Sequence, residues 1–144
     1  MTKILVKDNI RFSGKATTKE EAIQEVGQIL VEKGYVNSNY VEKMLEREEI
    51  TSTFMGNMLA IPHGTDEGKK EVTASGLAVQ IYDQPLDWNG EEVRLVIGIA
   101  GVGDEHLEIL SQIAIVCSEV ENVEKLLQTK SADEVLDMFS EVAE

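Results

Sequence analysis

The chain has 144 residues, 42% hydrophobic and 28% charged, which is enough apolar content for one domain with a buried core and excludes a disordered chain. Its 27 acidic residues against 13 basic ones give a formal charge of −14, which excludes a surface built to hold phosphate backbones or anionic lipids. The single cysteine, Cys117, excludes an internal disulfide and a cysteine-based zinc cluster.

The first segment, MTKILVKDNIRFSGK, has only a short apolar run before charges intervene, too short for the core of a signal peptide. No later stretch approaches a membrane span, so the expected location is the cytoplasm, with no insertion into a membrane. In ATTKEEAIQEVGQILVEKG, Thr17 and Thr18 followed by Glu20 and Glu21 form a capping-box pattern. Ala22, Ile23, Val26, Ile29 and Leu30 then make one apolar stripe, and Gly34 stands where a helix stops. The next segment, NSNYVEKMLEREE, predicts a second helix, capped by Asn37 or Ser38, with Tyr40, Val41, Met44 and Leu45 inward.

In the middle of the chain the period changes. MLAI, SGLAVQIY and VRLVIGIA are short runs rich in Val, Ile and Leu, bounded by Gly, Pro or charges, and predict buried strands. Asn89-Gly90 signals a tight turn joining the second and third, with the segment 82–90 read as a loop. Beyond GVGD, three helices are predicted, over EHLEILSQIAIVCS, NVEKLLQT and SADEVLDMFSEVA, the last opened by a Ser131–Glu134 capping box. Cys117, in the run IAIVC, is read as a small packed hydrophobe. No repeat or linker divides the chain. The expectation is a single α/β sandwich over residues 1–144, a small, partly antiparallel (mixed) sheet flanked by helices, with sites at strand ends.

Three residues could carry chemistry. Pro62 restricts Ile61 to extended geometry and ends its strand, so His63 falls just past the strand's carboxyl end, and Gly64 permits a sharp turn and leaves space above the ring. The expectation is an exposed imidazole on a stiff support; the plainer reading is a loop histidine. His106 follows a second strand end and a two-glycine turn, in the first turn of a helix that Asp104 can cap, a start that favours an anion. The two histidines could face one another across one sheet edge. Arg47, among Glu46, Glu48 and Glu49, reads either as a solvated helix end with local ion pairs or as a guanidinium fork for an oxyanion.

Several chemistries compete for these groups. A metal-dependent hydrolase would use both histidines with Asp66 or Asp104, but His-Glu-x-x-His or comparable spacing is lacking. A serine hydrolase would need a nucleophile elbow, and TASGL lacks its flanking glycines. Phosphoryl chemistry fits best, because a neutral imidazole nitrogen can hold a phosphoryl group covalently at pH 7. Without a Walker loop or kinase motifs, the phosphoryl donor is expected to be a phosphoprotein or a small phosphate, with no nucleotide or other cofactor.

MGNMLAIPHG resembles the phosphorylation-site signature of the mannitol/fructose-type IIA components of the bacterial phosphoenolpyruvate-dependent sugar phosphotransferase system. The resemblance extends over nearly the whole chain, with EREEITSTFMGN and DEHLEIL in support, and the mannitol branch is the most similar. It implies that His63 accepts a phosphoryl group on Nε2 from phospho-HPr and passes it to a cysteine on the IIB domain of a sugar permease, with Nδ1 held by a hydrogen bond. It further implies that Arg47 neutralises phosphoryl oxygens and that His106 hydrogen-bonds to the phosphoryl group. Asn57 occupies a position that is acidic in some relatives and is given no role. Within the family the alternatives are a fructose-type transport component and a nitrogen-regulatory one. The acidic surface, otherwise a matter of solubility, then suits a partner carrying Arg and Lys around its own phosphorylated residue.

Overall fold

The computed structural model describes residues 5–103 and 105–139, with residue 106 described through its backbone. Five strands form one mixed sheet in the order β1-β4-β5-β3-β2: β1 (Ile10–Arg11), β2 (Phe54–Gly56), β3 (Leu59–Ala60), β4 (Gly76–Trp88) and β5 (Glu91–Ala100). The long β4–β5 hairpin is antiparallel and turns at Asn89-Gly90, whose φ angles of 55° and 92° are those an Asn-Gly turn supplies at low steric cost. β3 pairs with β5 and β1 with β4 in parallel, while β2 folds back on β3. The segment read as a loop from 82 is corrected: β4 continues to Trp88, with a register irregularity between Ile81 and Leu86 beside the exposed Pro85. A proline cannot donate to the ladder, so the strand bulges there instead of ending.

Helices cover both faces. α1 (Lys19–Glu32) and α2 (Asn39–Ile50) pack on one side, and α3 (Glu105–Cys117), α4 (Val120–Gln128) and α5 (Ala132–Met138) on the other. The box predicted for α1 is present: Thr18 accepts from the Glu21 N–H, and the Glu21 carboxylate accepts from the Thr17 N–H at 3.0 Å. All five residues of its predicted stripe are buried. α2 is rotated from its expected stripe. Tyr40 and Met44 are buried, but Val41 and Leu45 are only half-buried, and Glu48 takes a buried place on the same face. The Ser131 cap of α5 is also present, accepting from the Glu134 N–H; the predicted extension over 140–143 falls outside the described residues. Among the described residues no helix is long and apolar enough to cross a membrane.

Candidate functional site

His63 follows β3, and Pro62 does not detach it from the sheet. The Pro62 carbonyl accepts from the Ile99 N–H at 2.9 Å, and His63 forms a parallel bridge with Ile99. The ring folds back so that Nδ1 lies 2.9 Å from the Ile61 carbonyl oxygen. A carbonyl can only accept, so Nδ1 donates in this contact, and in the neutral form of the ring the lone pair is then on Nε2. The expected exposed imidazole is corrected: His63 is 8% exposed. The inward bond to Ile61 draws the ring against the sheet, and it meets solvent through a cleft of about 720 Å³ that it helps to line.

Beside Gly64 stands the Tyr40 ring. A Cβ on Gly64 would lie 2.6 Å from that ring, so glycine lets Tyr40 come this close. The Tyr40 hydroxyl donates to the Ile99 carbonyl at 2.7 Å and accepts from the Gly64 N–H at 2.9 Å. Burial pushes the phenol's pKa up to about 12, against a smaller opposing effect of the Gly64 hydrogen bond. Tyr40 thus fixes the peptide after His63, as Ile99 fixes the peptide before it. The sequence marked Tyr40 only as inward-facing, since nothing local shows a tyrosine reaching a residue 24 positions on.

Arg47 lines the same cleft. The three surrounding glutamates suggested local ion pairs, but among the described residues none pairs with it; Nη1 donates to the Thr51 carbonyl at 2.7 Å. Glu48 points away into the core, where its carboxylate accepts from the Thr53 N–H at 3.0 Å and from the Trp88 Nε1–H at 3.2 Å. The hydroxyl-rich stretch Thr51–Thr53 joins the cleft wall between them. Its run of small polar residues after a helix was the available signal, and the sequence reading passed over it.

The opposite wall comes from α3 through Leu107, Leu110 and Ser111. His106 is the second residue of this helix, so its backbone stands at the expected place; its side chain and the proposed cap Asp104 lie outside the described residues. Ser75, unremarked in the sequence, ties down the turn before α3, accepting from the Val102 N–H at 2.9 Å and donating to the Glu105 carboxylate. Asn57, given no role above, makes the β2–β3 turn with Met58 at φ 50° and 66°, and donates to the Cys117 carbonyl at 3.0 Å. Among the described residues no group of three or more His, Cys, Asp or Glu side chains could hold a metal ion. The site therefore offers an oriented imidazole, a guanidinium and a helix start around one cleft, a set suited to an anionic group.

Residues 3–142 match the family described as phosphoenolpyruvate-dependent sugar phosphotransferase system, EIIA 2. The mannitol-specific phosphotransferase enzyme IIA component of Halalkalibacterium halodurans is 59% identical over 141 residues, covering 98% of this chain and 97% of that protein. The crystal structure of IIA mannitol from Escherichia coli superposes with a TM-score of 0.87 at 40% identity, over 94% of this chain and 98% of that one. A complex of enzyme IIA and phosphorylated enzyme IIB for mannitol, also from Escherichia coli, gives a TM-score of 0.89 at 38% identity, over 95% and 97% of the two chains.

Proposed function

The chain belongs to the EIIA type 2 family of the phosphoenolpyruvate-dependent sugar phosphotransferase system, and from that premise we propose that it is a mannitol-specific phosphoryl carrier acting through His63. It takes a phosphoryl group from phospho-HPr on Nε2 and delivers it to the IIB component of a mannitol permease, working in the cytoplasm without contacting the sugar. The observation that carries this reading is the 2.9 Å contact between Nδ1 and the Ile61 carbonyl, because it supports Nε2 as the nucleophile.

In the first transfer, the Nε2 lone pair forms the new N–P bond as the bond to the donor breaks in line with it. Nδ1 keeps its proton throughout. The phosphorylated ring is then cationic, and the Ile61 carbonyl dipole stabilises that charge. In the second transfer a cysteine thiolate of the acceptor attacks phosphorus, and His63 leaves as the same neutral tautomer. Such a transition state is loose, so positioning and charge compensation supply most of the catalysis. Arg47 is assigned to the phosphoryl oxygens, assisted by the N–H groups at the start of α3, and His106 to a hydrogen bond with the same group. The exposed apolar side chains Ile50, Met55 and Leu107 ring the cleft where the partner must seat.

The test is to supply phosphoenolpyruvate, Enzyme I and HPr and to look for an acid-labile, alkali-stable phosphate on the protein. His63→Ala should carry none. A normal label on that variant, or a label on wild type that a mannitol IIB domain cannot remove, would refute the proposal.

A further inference from the structure

Among the described residues Glu48 is the only buried acidic side chain, and stability alone gives it little reason to be there. It occupies the apolar stripe of α2, one turn after Met44, in the helix's last turns, where a negative charge opposes the macrodipole. An apolar residue of similar size would fill the same space without the cost of desolvating a charge. What the carboxylate does provide is direction. It accepts from both the N–H and the Oγ1–H of Thr53, and from the Trp88 indole at the far end of the sheet.

From Thr53 the connections run straight to the site. The Thr53 carbonyl accepts from the Ile61 N–H at 3.1 Å, and the Ile61 carbonyl accepts from His63 Nδ1. In the other direction, Arg47 precedes Glu48 on the helix and donates to the carbonyl of Thr51, two residues before the Thr53 that Glu48 holds. One buried group is therefore two hydrogen-bonded residues away from the imidazole and adjacent to the guanidinium.

We propose that Glu48 is a positioning residue for phosphoryl transfer: by anchoring Thr51–Thr53 it sets the separation between the Arg47 guanidinium and the His63 imidazole. The inference rests on the roles given above to His63 and Arg47. A misplacement of about an ångström in such a constellation can slow a reaction by about two orders of magnitude, so a fixed anchor has kinetic value beyond any contribution to folding.

The test uses the full chain and follows transfer from phospho-HPr by rapid quench, with thermal unfolding measured on each variant. Glu48→Gln should lower kcat about tenfold or more while KM for phospho-HPr changes less than about twofold. Trp88→Phe, which removes only the donor on the hairpin side, should lower the unfolding temperature yet leave kcat within about twofold. A kcat for Glu48→Gln within about twofold of wild type overturns the inference, and so does an equal slowing by both variants, which would mark a common loss of stability. Should Glu48→Gln fail to fold, Thr53→Val removes one donor to the same carboxylate; about threefold slowing supports the inference and an unchanged kcat overturns it. Labelling of His63→Ala in parallel separates the two levels, because a label there would remove the underlying reading whatever Glu48 does.

Discussion

Along β5 the side chains alternate between Leu95, Ile97 and Ile99 on one face of the sheet and Val96, Gly98 and Ala100 on the other. β4 repeats this with Leu77, Val79 and Ile81 opposite Ala78 and Tyr82. The large aliphatic face meets Ile113, Val123, Leu126 and Val135 of α3–α5, a core with no direction of its own. The small-residue face lets α1 come close, to within 3.0 Å of where a Gly98 Cβ would stand, and adds groups that do have direction: Tyr40, Trp88, Glu48, and Tyr82 bonded to Glu25. The described contacts that orient His63 come from the sheet and from this second face. The described side chains that hold the backbone on either side of His63 stand on this second face, Tyr40 directly and Glu48 through Thr53, while the first face borders the cleft through α3.

That division can be broken experimentally. Leu126→Ala, deep in the aliphatic face, should cost about 2–5 kcal/mol in urea unfolding while phosphoryl transfer stays within about twofold of wild type. A matching loss of rate would end the distinction between the faces. Arg47→Ala should do the reverse, slowing transfer about a hundredfold with the unfolding midpoint nearly unchanged, since the guanidinium lies at the cleft rim. Tyr40→Phe removes a single oxygen and leaves the Gly64 N–H and the Ile99 carbonyl without it; about tenfold slower transfer with an unaltered KM is expected.

The gentlest probe is alkaline titration. Tyr40 and Cys117 are both pushed up to about 12 by burial, and Tyr82 is pushed up by burial and then by its bond to Glu25. Each folded-state value lies above the unfolded one, so the stability these groups contribute is complete below the unfolded value and is lost as pH rises toward the folded one. Urea midpoints should therefore be flat through neutrality and fall from about pH 9–10 upward, and Tyr40→Phe should make the fall less steep. An unchanged slope in that variant would show that the phenol titrates normally.

What the sequence displayed was local. The Thr18 cap, the Asn89-Gly90 turn and the Val/Ile/Leu runs of β3–β5 each declare themselves within a few residues, and each is present. β1 and β2 escaped notice because two or three residues show no period. The β2–β3 turn escaped because Asn-Met carries no turn signal, although its backbone adopts the positive φ that Asn-Gly usually marks. Pro62 correctly announced where His63 would lie, but not that the ring would turn inward, because the Ile61 carbonyl is an invisible acceptor in a string of letters. Tyr40 and Glu48 acquire meaning only from partners brought close by folding, and no spacing rule could have assigned them.

The shelter around His63 has a bearing on time. A relay protein is useful only if its cargo survives the search for the next recipient, and the nearest competitor in that search is bulk water. With only 8% of the residue open to solvent, Nδ1 is turned to the Ile61 carbonyl and the ring opens onto the cleft it helps to line. On the proposed reading, a recipient shaped for that entrance gains access to phosphorus that stray solvent is denied, so the lifetime of the charged form is set by the architecture around the ring as much as by the bond itself.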